Sequence, residues 1–127
     1  MSDVRENLLY SEEHEWIKIE GDTGRVGVTD HAQMEMSDIL YAEVPEVGRS
    51  VKKGETIGAM ESVKTVADVY APVSGEIVEA NHELENSPQM INDSPYDDGW
   101  FIVIRIEDES ELDKLMDADA YADFIGD

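Results

Sequence analysis

A chain of 127 residues in which 31 acidic side chains face nine basic ones, for a formal net charge of −22, repels phosphate backbones and excludes nucleic acid as a partner. The absence of cysteine removes disulfides, thiolate metal sites and thiol nucleophiles, and no apolar run approaches the roughly 18 residues of a membrane span. Met1 to Glu6 carries acids and no apolar stretch, against a signal peptide, so one soluble cytoplasmic domain over 1–127 is expected.

The acids are spread along the chain among regularly spaced apolar residues, which counts against a disordered acidic tail. Two other readings stand: a surface for basic partners, and adaptation to a salt-rich, halophilic cytoplasm where screening removes most self-repulsion. The last is favoured, and it describes a habitat rather than an activity.

Short apolar runs punctuated by Gly, Pro, Asn and Asp predict an all-β sandwich or barrel. Trp16 to Ile19 and Arg25 to Thr29 read as strands joined by the turn-rich stretch Glu20-Gly21-Asp22-Thr23-Gly24. Asp30 is the expected cap of a short helix from His31 to about Met36. Ile39 to Val44 is the next strand, stopped by Pro45 and followed by a turn at Gly48. Thr56 to Met60 and Thr65 to Tyr70 flank Glu61-Ser62-Val63-Lys64, and Pro72 and Gly75 bracket a turn before Glu76 to Ala80. Trp100 to Ile106 is the last strand, and its unbroken apolar character predicts burial on both faces. From Ser110 onward Leu112, Leu115 and Met116 have helical spacing. A further helix after Asp117 is expected to bury Tyr121, Phe124 and Ile125, making about 110–125 a helical segment with an acidic outer face. A weak repeat sets Gly48, Val51, Gly54 and Ile57 against Asn81, Leu84, Ser87 and Met90 at an offset of 33, and predicts two similar β arms around Lys64.

Most catalytic signatures are missing. Gly21, Gly24 and Gly27 form neither a dinucleotide fingerprint nor a phosphate loop. His14, His31 and His82 lie far apart without metal-ligand spacing, so no metal centre is expected. Ser74 lacks a nucleophile-elbow context, and Asn92-Asp93-Ser94 is a glycosylation acceptor without a secretory signal.

Lys64 is one of five lysines, and by position alone it is a solvated turn residue. Its flanks change that reading. Gly58 to Ile77 resembles the attachment hairpin of lipoyl and biotinyl carrier domains, in which a tight turn offers a lysine to a modifying enzyme and an Ala-Pro-x-x-Gly turn follows. An amine on a rigid tip is accessible, and an arm built on it swings while the scaffold stays fixed. Biotinyl domains typically set Met on both sides of the lysine, where Val63 and Thr65 stand here; lipoyl domains of 2-oxoacid dehydrogenases usually have Asp before it. Glu61-Ser62-Val63-Lys64 is instead the form of glycine cleavage H proteins.

The resemblance to that family extends to His14-Glu15-Trp16, to Val26 through Gln33, to Tyr41 through Gly48, to Val78-Glu79-Ala80-Asn81, and to Asn92 through Tyr96 with Gly99-Trp100. Met36-Ser37-Asp38 departs from the usual Leu-Gly-Asp, and puts Ser37 where a turn would accept Gly more readily. The resemblance implies a mainly β barrel-sandwich hybrid, lipoyl-domain-like, of two antiparallel sheets with short peripheral and C-terminal helices.

It also implies a non-catalytic lipoyl carrier of glycine catabolism, with lipoate covalently bound to Lys64. Such a carrier takes an aminomethyl group from a pyridoxal-phosphate glycine decarboxylase (P protein) to a tetrahydrofolate aminomethyltransferase (T protein). It is reoxidised by dihydrolipoamide dehydrogenase (L protein). A lipoate-attaching enzyme would read Glu61, Ser62 and Val63, and the carrier would be a monomer. Glu15 and Asp68 align with positions lining a cleft for the protonated amine, while His14 is expected to pack or hydrogen-bond beside Trp16. A lipoyl or biotinyl protein of another pathway, and an acidic interaction module never modified, are the competing readings.

Overall fold

The computed structural model describes residues 2–126, and each pairing between its strands is antiparallel. The strands are β1 (Leu9–Tyr10), β2 (Glu15–Glu20), β3 (Thr23–Val28), β4 (Ile39–Glu43), β5 (Ser50–Val51), β6 (Thr56–Ser62), β7 (Val66–Tyr70), β8 (Gly75–Ala80) and β9 (Ile102–Ile106). They build a six-stranded sheet in the order β1-β2-β3-β9-β8-β5 and a three-stranded sheet β4-β6-β7. Helix α1 (Asp30–Met36) links the two sheets. Short helices α2 (Glu83–Asn86) and α3 (Met90–Asp93) precede β9, and a 3-10 turn over Glu109–Lys114 leads into α4 (Ala118–Ile125). The fold is mainly β with two antiparallel sheets and short helices, as the resemblance implied. Among the described residues no helix is long and apolar enough to cross a membrane.

The core lies between the sheets. Ile17, Val26, Phe101, Ile102 and Ile104 from the larger sheet meet Ile57, Met60 and Val69 from the smaller, and all are buried. Phe101 through Ile104 are buried in succession, as the apolar run predicted, because β9 is central and covered on both sides. A second cluster joins Tyr10, Trp16, Tyr96, Ala118 and Tyr121 and pins the C-terminal helix to β1 and β2. In the Ala-Pro-x-x-Gly turn, a Cβ on Gly75 would be driven into the Arg105 carbonyl across the β8–β9 ladder, so only glycine lets these strands approach.

Several local expectations are corrected. Thr29, not Asp30, caps α1: its Oγ1 accepts from the Ala32 amide at 3.2 Å, and Asp30 becomes the first helical residue. The repeat does not make two β arms. Gly48 to Ile57 forms β5 and enters β6, whereas Asn81 to Met90 folds into α2 and the start of α3, where Leu84 is fully buried. Apolar residues three apart suit a helical turn as well as a coincidental strand match. Residues 109–114 coil as a 3-10 turn rather than an α-helix, started by the Asp108 side chain. Phe124 is half exposed, because α4 rests on the aromatic cluster through Ala118, Tyr121 and Ile125.

Candidate functional site

Strands β6 and β7 form a hairpin with Glu61 opposite Val66, Met60 opposite Ala67 and Ala59 opposite Asp68. Val63 and Lys64 are its tip, and neither takes a positive φ, so the turn demands no glycine. It is closed by Ser62, whose amide donates to the Thr65 carbonyl at 2.9 Å and whose Oγ donates to the same oxygen at 3.4 Å. The Ser62 side chain is only 5% exposed, while Val63 beside it is 87% exposed. Lys64 is exposed and has no hydrogen bond or ion pair among the described residues. Glu61 is exposed opposite Tyr41 of β4. The sequence-predicted recognition residues therefore divide: Glu61 and Val63 face solvent, and Ser62 turns inward to hold the tip.

Beside the hairpin runs a cleft of about 240 Å³. Its walls are Glu13, His14 and Glu15 at the entry to β2, Ala32, Glu35 and Met36 of α1, and Met60, Thr65, Ala67 and Asp68 of the hairpin. Glu15 and Asp68 both line this cleft. Asp68 is exposed at the rim, whereas Glu15 is 2% exposed.

The Glu15 carboxylate is not orphaned. Ser11 Oγ donates to Oε1 at 2.6 Å and the Tyr70 amide donates to Oε2 at 3.3 Å. Burial nevertheless outweighs these bonds and pushes its pKa from the ordinary 4.5 up to about 7. A second hollow of about 290 Å³, lined among others by Ser11, Lys53, Tyr70 and Lys114, also includes Glu15 in its lining. Glu15 therefore lines both hollows, and the two hydrogen-bond partners of its carboxylate, Ser11 and Tyr70, line the second.

His14 has a φ of 70° and its Nδ1 lies 2.8 Å from the Tyr121 phenol, which is itself 2.8 Å from Thr29 Oγ1. Burial and the neighbouring His31 hold its pKa below the usual histidine value. The expected hydrogen-bonding role is met, with Tyr121 as the partner. Sequence spacing missed Ser11, Tyr70 and Tyr121 as site residues: Tyr70 and Tyr121 reach the site through packing of the hairpin and docking of α4, and Ser11 meets Glu15 within the turn between β1 and β2. It also missed that His14 and His31 converge, with ring centroids 4.7 Å apart.

A pair of stacked antiparallel sheets presenting an unpaired lysine on a tight hairpin, next to a carboxylate-lined cleft, defines a carrier domain of the swinging-arm class. The family model described as Glycine cleavage H-protein matches residues 8–127. The chain is 50% identical over 123 residues to the glycine cleavage system H protein of Staphylococcus haemolyticus, spanning 97% of this chain and 98% of that protein. It is 51% identical over 125 residues to that of Halalkalibacterium halodurans, spanning 98% of each. The crystal structure of the H protein from Mycobacterium marinum superposes with a TM-score of 0.89 at 36% identity, covering 97% of this chain and 99% of that one. The chain belongs to the glycine cleavage H-protein family. A member of this family is a carrier component of the glycine cleavage system and not one of its catalysts.

Proposed function

We propose that this protein carries lipoate in amide linkage to Lys64 Nζ and serves glycine cleavage as its mobile arm. The observation that carries the reading is the contrast at the hairpin tip: Ser62 is buried and locks the turn, and Lys64 next but one is exposed and unpaired. Lipoate held there would supply a disulfide able to take up an aminomethyl group and to be restored from the dithiol.

The residues of this chain would prepare and protect that exchange. Acylation turns the Lys64 ammonium into a neutral amide, so it meets no penalty from a broken ion pair. Glu61 and Val63 would be read directly by the lipoate-attaching enzyme, and Ser62 would act by fixing the turn. In the cleft, Glu15 and Asp68 would hold the protonated amine of the cargo. Glu15 is desolvated, and its pKa near 7 means that an arriving cation favours loss of its proton, so that charge is neutralised inside the wall. Asp68 at the rim would guide the cation inward.

The partners are a pyridoxal-phosphate glycine decarboxylase, a tetrahydrofolate aminomethyltransferase and dihydrolipoamide dehydrogenase, met in turn by a cytoplasmic monomer. Tethering raises the effective concentration of the reacting group at each of them. The net charge of −22 suits a salt-rich, halophilic cytoplasm. Intact-mass measurement of protein from its native host tests the central claim. A lipoyl adduct localised to Lys64 supports it; a biotinyl adduct, or a bare Lys64 with lipoate in supply, overturns it.

A further inference from the structure

His14, His31 and Glu35 form a cluster that the carrier role leaves unused. His14 precedes β2, while His31 and Glu35 stand at i and i+4 on one face of α1. The two rings are 4.7 Å apart and tilted by 41°. His31 Nε2 is 3.5 Å from Glu35 Oε1, and one donor atom from each of the three side chains lies within 4.8 Å of the others. We propose that His14, His31 and Glu35 bind a first-row divalent transition metal, zinc foremost, at the edge of the cleft.

The donor chemistry fits. Two imidazoles and one carboxylate are a common three-ligand set for Zn²⁺, with the fourth tetrahedral position left to water. Hard cations such as Mg²⁺ prefer all-oxygen shells and would not select this site. The support around the cluster fits as well. Tyr121 engages His14 Nδ1 at 2.8 Å and is itself held by Thr29, which orients the ring and leaves Nε2 as the free donor. Ser2 Oγ lies 3.5 Å from His31 Nδ1, leaving Nε2 toward Glu35 on that ring too.

Metal–ligand bonds of about 2.0–2.2 Å require donors about 3.3 Å apart. The cluster is therefore open by about an ångström and a half at its widest. The Glu35 side chain is 65% exposed and can swing inward without disturbing the core. Entry is unobstructed, because His14 and Glu35 both line the open cleft. The strongly negative chain would concentrate cations at its surface, and the imidazoles would then select the softer ones.

The experiment uses the full chain with Lys64 unmodified, so that its result is independent of the lipoyl reading. Zn²⁺ is titrated calorimetrically in the presence of excess Mg²⁺ to saturate surface carboxylates, and the histidine ring resonances are followed by NMR. One saturable site per chain is expected, with the His14 and His31 signals moving together. His31→Gln and Glu35→Gln, the first at a partly buried and the second at an exposed position of α1, should each weaken binding at least about tenfold. Circular dichroism establishes that these variants fold. His82, which pairs with Glu85 at 3.0 Å and stands outside the cluster, is the control, and His82→Gln should leave the affinity unchanged. Absence of saturable binding, affinity unaffected by His31→Gln, or affinity lost in His82→Gln would each overturn the proposal.

Discussion

Tyr121 Oη lies 2.8 Å from His14 Nδ1 across a separation of 107 residues, and this bond ties the C-terminal helix to the wall of the cleft. The same oxygen meets Thr29 Oγ1 at the cap of α1, while the ring stacks on Tyr10 with centroids 4.5 Å apart. Tyr121 is fully buried, and desolvation pushes its pKa up to about 12, so it stays a neutral phenol throughout the working range. Tyr121→Phe keeps the stacking and removes the hydroxyl from both partners. The expected loss is about 1–3 kcal/mol, read as a lower urea midpoint with an unchanged slope.

Glu15 makes stability depend on pH in a direction opposite to that of an ion-paired carboxylate. Its folded pKa is about 7 against an ordinary 4.5. Below the ordinary value both folded and unfolded chains hold the proton. As pH rises, the unfolded chain releases it first, so stability falls between about pH 4.5 and pH 7, and the loss, on the order of 3 kcal/mol, is complete above that. Glu15→Gln mimics the protonated form. The stability gap in its favour should widen by about 2 kcal/mol between about pH 5.5 and pH 8.5, measured by denaturation of both proteins. A constant gap would show that Glu15 is ionised in the folded state at both values.

Ser37 ends α1 with φ 63° and ψ −151°, a backbone region that is essentially reserved for glycine. Its amide serves the Gln33 and Met34 carbonyls and its carbonyl accepts from Asn92 Nδ2 at 2.8 Å, and glycine would keep all three bonds. Ser37→Gly should therefore stabilise the fold by about 1 kcal/mol, less glycine's extra unfolded entropy, and raise the melting temperature by a few degrees.

Lys64→Arg keeps the charge of an exposed side chain that has no hydrogen bond or ion pair among the described residues. Its melting temperature should match that of the parent chain. The lipoyl mass increment and glycine-dependent CO2 exchange in a reconstituted system should both vanish, because the guanidinium does not form the amide. Exchange retained by this variant would refute the carrier assignment at that residue.

A net charge of −22 on 127 residues destabilises the compact state by self-repulsion at low ionic strength. Melting followed by circular dichroism should rise markedly from low to multimolar KCl, where the Debye length falls to about 3 Å or less. Equal melting at both concentrations would argue against adaptation to salt.

The residues that the sequence determined by itself are those whose signals are local. Alternating apolar runs bounded by Gly and Pro located β2, β3, β4 and the β6–β7 hairpin, and the residues around Lys64 marked the tip, because strand period and turn chemistry act over a few neighbours. The unusual Ser37 turn was marked instead by its departure from the Leu-Gly-Asp of the family it resembles. Strands β1 and β5 were not: at two residues each they exist only because β2 and β8 offer edges to pair with. Tertiary structure alone decided that Tyr70 would bond Glu15 and that Glu15 would be buried, and the burial turned one acid among 31 into a carboxyl with a pKa near neutrality. It also decided that His14 and His31, 17 positions apart, would bring their rings together. Burial and convergence depend on how sheets stack and where a helix docks, and no spacing along the chain encodes those distances.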